Sequence, residues 1–265
     1  MIKGLFILLK NRSLISRMAY KELTDRYAGS ALGLLWALIQ PLFLISVYVL
    51  VFTFIFRVNL GGDSPPLKYA LYAVAGLIPW ITMTEALTKS VTAVSSKAAL
   101  VKQAIFPTEI LPISSVIPSF VSLIIGLTIT IILILFLAPG QLSFWSLLLP
   151  LVIIIHLVFA IGIGYFLSIG GIYFKDLAEL VTLILTVGMF VTPILYIEKM
   201  VPAIFLLPMQ FNPATHLINM YRDLIIYGKI NHPWSFLIFT VAALSIFILG
   251  FLSFRKVRHL FANVL

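Results

Sequence analysis

Cysteine is missing from this chain altogether, and charge is scarce. Without thiols there is no disulfide, no thiolate metal site and no cysteine nucleophile. The four histidines, His156, His216, His232 and His259, stand far apart, none at ligand spacing from another, which argues against a zinc centre. There is also no Walker-type glycine loop, no serine elbow, no zinc helix and no paired carboxylates placed for acid–base work. Charged residues make up 10% of the sequence, where a soluble domain carries about 25%. Such a chain shows no engine of its own and no surface suited to water.

What is abundant is apolar: hydrophobic residues account for 62% of the chain. From Ile110 to Phe174 there is no Asp, Glu, Lys or Arg. A membrane helix needs roughly 20 apolar residues, so this run is too long for one crossing and about right for two. It breaks at Ala138-Pro139-Gly140-Gln141, a turn signal, and reads as a helical hairpin over 111–137 and 145–172. Further apolar segments lie at 31–56, 69–93, 177–197 and 234–254. The predicted fold is an all-α integral membrane protein with six transmembrane helices, a single domain over 1–265. Gly29-x-x-x-Gly33 opens the first span in a pattern that lets membrane helices approach closely, and Pro41 predicts a kink. Ser122, Gly126 and Thr130 form a small-residue stripe, as do Ala160, Gly164 and Ser168. Gly162-x-Gly164 follows no strand and is no dinucleotide fingerprint.

A net charge of +9 would suggest nucleic acid for a soluble protein; here it follows from basic loops on the cytoplasmic side, and no nucleic-acid partner is needed. Six crossings leave both termini on one face. Lys3, Lys10, Arg12, Arg17, Lys21 and Arg26 fall there, with Lys89, Lys97, Lys102, Lys175, Arg255, Lys256 and Arg258. Only Arg57, Lys68, Lys199, Arg222 and Lys229 fall on the other. The positive-inside rule therefore places both termini in the cytoplasm. The stretch Leu5 to Leu9 is too short for a secretory signal and is followed by more basic residues.

Three segments outside the spans are patterned. In 1–30, Leu14, Ile15, Met18 and Ala19 recur at helical spacing and Glu22 with Arg26 forms an i,i+4 pair, predicting a helix along the cytoplasmic membrane surface. In 94–109, Leu100, Val101, Ala104 and Ile105 share an apolar face, Ser95 or Ser96 can cap the start and Pro107 ends it, giving a cytoplasmic helix over 96–106. In 198–233, prolines break an apolar piece that reads as re-entrant or interfacial. Within it Asn212-Pro213 opens a helix, Leu217, Met220, Tyr221, Leu224 and Ile225 give a stripe, and Gly228 stops it. This second amphipathic helix, 213–227, falls on the outer side. The second span is the least uniform. Its i,i+4 pair Glu85 and Lys89 leaves two readings open: the helix lines an aqueous path, or it ends near Thr84 with its charges at the interface. His156 reads as a hydrogen-bonded packing residue.

The order of these parts carries a resemblance. Tyr20-Lys21-Glu22-Leu23-Thr24-Asp25-Arg26-Tyr27 leads into Ser30-x-x-Gly33-x-x-Trp36 and Gln40-Pro41. Lys97 through Phe106-Pro107 continues to Glu109-x-x-Pro112. Phe174-Lys175-Asp176 ends the fourth span, Thr192-Pro193-Ile194-Leu195-Tyr196 closes the fifth, and Asn212-Pro213 follows with Arg222 in the next helix. The whole chain resembles the permease subunits of type-2 ABC exporters of bacterial surface polysaccharides: O-antigen, teichoic acid and capsule.

That resemblance implies a homodimer in the bacterial inner membrane, paired with two ATP-binding cassette subunits that hold ATP and Mg; this chain would carry no cofactor and be no enzyme. It implies a coupling helix, seated in an ATPase groove, with Ser96, Lys97, Leu100, Val101, Lys102, Ile105, Phe106 and Pro107. It makes residues 12–27 the interface helix, with Arg17, Lys21, Glu22, Arg26 and Tyr27. It also implies an extracytoplasmic gate with Pro208, Asn212, Pro213 and Arg222. A polysaccharide, on a lipid carrier, would slide past aromatic walls that hold each sugar weakly. Tyr48, Phe52, Tyr72, Trp80, Phe190 and Tyr196, with Glu85, are the candidate channel residues. The alternatives are a drug or small-lipid exporter permease, which commonly has a large soluble domain or fused ATPase, and a non-transporting membrane scaffold.

Overall fold

A computed structural model of the chain describes residues 7–56, 66–102, 106–137, 142–197 and 201–264, and every regular element among them is helical. Helix α1 is Arg12–Asp25. A turn and a short 3-10 stretch, Gly33–Leu35, lead into α2, Trp36–Leu50, which loosens into a π turn over Val51–Ile55. Then come α3 (Pro66–Thr92), the single turn α4 (Ala98–Val101), α5 (Ile110–Leu137) and α6 (Leu149–Tyr173). They are followed by α7 (Leu177–Val191), α8 (Ala203–Phe211), α9 (Pro213–Arg222), α10 (Pro233–Val257) and the single turn α11 (Phe261–Val264).

With their flanking turns, five helices among the described residues are long and apolar enough to cross a membrane: Gly33–Ile55, Pro66–Thr92, Ile110–Leu137, Phe144–Tyr173 and Pro233–Leu260. The sixth expected span, 177–197, is helical only to Val191. At about 1.5 Å per residue it reaches roughly 22 Å, short of a hydrocarbon core of roughly 30 Å. Pro193 explains the stop: it has no N–H to continue the ladder and disfavours the helical conformation in the residue before it.

The core is built around α3, which packs against α2, α5, α6, α7 and α9. Protein buries 83% of its most apolar window, against 11% for the α2 segment. A helix sheathed by protein does not have to be apolar all round, which is why the second span looked least like a lipid-facing one. It does not end near Thr84 but runs on to Thr92. The small-residue stripe of α6 faces it: Ser168 Oγ donates to the Ser90 carbonyl at 2.7 Å, and a Cβ on Gly164 would stand 2.7 Å from Ser90 Oγ. On another face of α6, Gly162 meets α10, where a Cβ on Gly250 would run into the Gly162 carbonyl oxygen. Here backbone lies against backbone, and α6–α10 is the most extensive helix pair in the fold.

Three local expectations are corrected. Gly29 and Gly33 do not pack helices: both adopt positive φ, 77° and 53°, with open space where a Cβ would stand, so they turn the chain between α1 and α2. The expected helix 96–106 is a 3-10 turn, Ser95–Lys97, and then α4, with neither serine capping α4; Ala104 and Ile105 lie outside the described residues, as does the turn 138–141. The segment 213–227 is no surface amphipath. Every residue from Ala214 to Ile226 is buried, α9 passes into a π turn over Asp223–Tyr227, and Gly228 stops it at φ 60°. His216, Arg222 and Asp223 in it are held by hydrogen bonds within the protein instead of by water.

Candidate functional site

Polar side chains gather at the two ends of the bundle. At the end that holds the 95–107 loop, α1 lies along α5, with Ile15, Ala19 and Leu23 beside Ile117, Pro118 and Val121. Glu22 and Arg26 do not hold each other. Glu22 pairs with Lys97, and Arg26 Nη1 lies 2.5 Å from Glu85 Oε1, an oxygen that Lys89 also reaches at 3.2 Å. An i,i+4 pair on a helix is worth about 0.2–0.5 kcal/mol, a preference that better-placed tertiary partners override. So α1 is tied to the 95–107 loop and to α3.

Buried Tyr27 donates to Gln40 Oε1 at 3.4 Å. Burial raises its phenol above the ordinary value, with the Arg26 guanidinium pulling the other way and Glu85 adding to the rise, so it stays a donor at neutral pH. A cleft of about 590 Å³ opens between α2, α3 and α5, walled by Trp36, Pro41, Leu44 and Ile78, with Arg26, Gln40, Thr82, Glu85 and Ser122 as its polar part. Arg17 and Lys21 are exposed on α1. In the loop, Ser96 and Lys102 are exposed, Leu100, Phe106 and Pro107 are half-buried and Val101 points inward; Ile105 is outside the described residues.

The loop's other flank carries a group that the sequence marks only as part of a motif. Glu109 is completely buried, and Arg258 Nη1 donates to its Oε1. Arg255 Nε stands 3.7 Å from the same oxygen. Tyr165 Oη donates to the Glu109 backbone carbonyl at 3.0 Å, its ring set among Phe251 and Phe254 at 5.5 and 5.2 Å. Phe261 of α11 abuts Phe254, and α11 packs against α4 and α6.

At the opposite end, the chain beyond α7 has carbonyls that no helix satisfies. Arg222 Nη1 donates to Pro193 O at 2.5 Å and Nη2 to Ile194 O at 2.7 Å; Tyr69 Oη takes Leu195 O. Arg222 Nε also donates to Tyr72 O at 3.3 Å, and the guanidinium lies 3.5 Å from the Tyr72 ring centroid. Gly76 leaves room for it, since a Cβ there would stand 3.0 Å from Arg222 Nη2. Asn212 works twice: Oδ1 caps α9 through Ala214 N at 3.0 Å, and Nδ2 donates to Thr192 Oγ1 at 2.9 Å. Pro213 follows at the first turn of α9, where its missing N–H costs nothing.

The aromatic candidates divide. Tyr48, Phe52, Tyr69 and Tyr72 form a row with centroids 5.8, 5.3 and 6.3 Å apart, running from α2 to Arg222. Phe52, Tyr72 and Trp80 are buried within the chain, Trp80 against Gly188 of α7. Phe190, 65% exposed, shares a cavity of about 400 Å³ with Tyr196 and Pro208. Sequence reasoning missed Asp223, whose Oδ2 accepts from the Asn231 and His232 backbone N–H groups at 2.9 and 2.8 Å and whose Oδ1 faces His232 Nδ1 at 2.9 Å. Its only sequence signal was an acid inside an apolar stripe. His156 Nδ1 lies 3.3 Å from Tyr221 Oη, fully buried, as a packing residue should be. Among the described residues no cluster could hold a metal ion.

A bundle of membrane-length helices around a protein-sheathed α3, with polar ties at both ends, defines a multi-pass α-helical membrane protein. Residues 13–226 match the ABC-2 type transporter family, and the chain belongs to that family. It is 30% identical to the O-antigen export system permease protein RfbA of Myxococcus xanthus over 99% of both chains. It is 28% identical to the protein of the same name from Klebsiella pneumoniae over 92% of both. It is also 20% identical to the polysialic acid transport protein KpsM of Escherichia coli, over 82% of this chain and 83% of that one.

Proposed function

We propose that the chain is the membrane-spanning subunit of an ATP-driven exporter that moves a surface polysaccharide, carried on a lipid, across the bacterial inner membrane. The observation that carries this reading is similarity along the whole chain to an O-antigen export permease. In this reading two copies form the pore with two ATPase subunits, which hold ATP and Mg. Both termini are cytoplasmic, and the exposed apolar face of α2 meets the second copy. The sixth crossing is α7 completed by 192–197.

The loop from Ser96 to Pro107 seats in the ATPase, with exposed Lys102 offering charge and Leu100 apolar contact, while Lys97 holds Glu22 of α1. The interface helix α1 follows its movement through Glu22, and Arg26 passes it on to Glu85 of α3. The outer gate is 198–233, braced by Asn212, Pro213 and Arg222. Phe190 and Tyr196 face the sugar chain, while Tyr48, Phe52, Tyr72 and Trp80 shape the wall from behind.

The test is reconstitution with the ATPase partner in lipid vesicles. K97E/K102E should keep ATP hydrolysis while polymer transport per ATP falls roughly 10-fold, within the usual range of coupling free energies. Undiminished transport in that variant would count against the assignment, as would polymer movement by this chain alone down an ion gradient.

A further inference from the structure

A second cavity lies between α8, α9 and the start of α10, at the end opposite the 95–107 loop. It measures about 510 Å³, within the range of small-ligand sites. It is distinct from the cavity of Phe190 and Tyr196. Phe205 and Pro208 of α8 line that one, Leu206 and Gln210 line this one, and the helix divides the two. Its walls are pinned from within the protein. His216 of α9 reaches α10 through Ser235 Oγ at 3.0 Å and α8 through the Gln210 carbonyl oxygen at 2.8 Å. The buried Asp223 carboxylate fixes the chain at Asn231 and His232, just ahead of α10.

The lining is aromatic and polar but carries no Asp, Glu, Lys or Arg among the described residues. Phe211 and Trp234 are largely exposed, and Gln210 and Asn231 set two exposed amides near them. Deeper in, Thr215 is 4% exposed, and its Oγ1 has no hydrogen-bond partner among the described residues. A buried hydroxyl left in that state is costly unless a ligand completes it. Aromatic residues that only mark a membrane interface need no pinned cavity and no unpartnered hydroxyl behind them. An aromatic face covers the apolar C–H face of a sugar ring, and an amide serves a sugar hydroxyl as donor and acceptor at once. An anionic ligand would find no lysine or arginine here, and His232 is already engaged by Asp223.

We propose that this cavity is a binding site for neutral sugar units, separate from the aromatic surface at Phe190 and Tyr196. That the sugars belong to an exported polymer rests on the exporter reading; the chemistry of the cavity does not. The test uses the full-length protein in lipid nanodiscs. It is titrated with neutral disaccharides of glucose, galactose, mannose and rhamnose, and with digalacturonate as the anionic comparison. Binding is read by saturation-transfer difference nuclear magnetic resonance. Neutral disaccharides should bind and digalacturonate should not. W234A should weaken binding roughly 10-fold, as loss of an anchoring aromatic does. T215V should also weaken it while keeping or raising the thermal unfolding midpoint, a split that a merely structural threonine would not give. W145A, which removes an exposed aromatic outside the cavity, should bind as the parent does. No binding by any neutral disaccharide overturns the site, as do equal binding of digalacturonate and parent-like binding in W234A or T215V. Displacement of the sugars by glycerophosphoethanolamine would mark a lipid-headgroup site and overturn it too. These titrations need neither an ATPase nor transport, so their failure leaves the exporter reading standing, and failure to find an ATPase leaves the site to be judged by its own binding.

Discussion

A guanidinium sealed inside a membrane protein is tolerable only when its donors have targets, and Arg222 has carbonyl oxygens and an aromatic face around it. Lysine keeps the charge but not the planar fork, so it cannot reach Pro193 and Ile194 together. R222K is expected to leave at least one of those carbonyls unsatisfied, at about 1–3 kcal/mol each. Thermal unfolding in nanodiscs should show a clearly lowered midpoint, and R222M should do worse; a midpoint equal to the parent's in R222K would mean that the fork is dispensable. The sequence singled out Arg222 only through a resemblance, and the physical reason is plain. Its targets are backbone carbonyls 28 and 29 residues away, and a carbonyl has no letter in a sequence. Glu109 is the mirror case: a lone acid before a long apolar run is visible, but the arginines that hold it lie at the other end of the chain.

Among the elements, the α6–α10 contact is the one least able to accept change. A methyl group on Gly250 would meet the Gly162 carbonyl oxygen, and backbone cannot move aside as a side chain can. G250A is expected to drive the two helices apart and to yield aggregated or proteolysed protein on size-exclusion chromatography. G33A, in open space at positive φ, should cost only ~1–2 kcal/mol and remain monodisperse. Equal behaviour of the two variants would refute the close approach. Unbroken apolar length found α5, α6 and α10, because a lipid-crossing helix must be apolar over its whole length. Periodicity found the right stripe on α9 but misjudged its surroundings. A period says which residues share a face, not what covers the opposite one, and here His216, Arg222 and Asp223 are covered by protein.

At the scale of the whole molecule, the five membrane-length helices were legible, and α7 with its end set too late, while the ties that join the helices were not, because each links residues far apart in the chain. The Glu22–Lys97 pair is the simplest to test. E22K and K97E should each lower polymer exported per ATP, and E22K/K97E should recover most of the loss. The pair is half-buried but still touches solvent, so it is partly screened by salt and the effect should shrink at high ionic strength. No recovery in the exchanged pair would mean that shape, not charge, joins α1 to the loop. The central place of α3 has a consequence for biogenesis. This helix leaves the ribosome before α5, α6 and α9, which later sheathe it, have been made. Carrying Glu85 and Lys89, it is ill suited to bare lipid at that stage and needs shelter from the insertion machinery. A nascent chain truncated ahead of Arg222 would never complete that sheath, so whether the protein matures or is degraded is decided late in its synthesis.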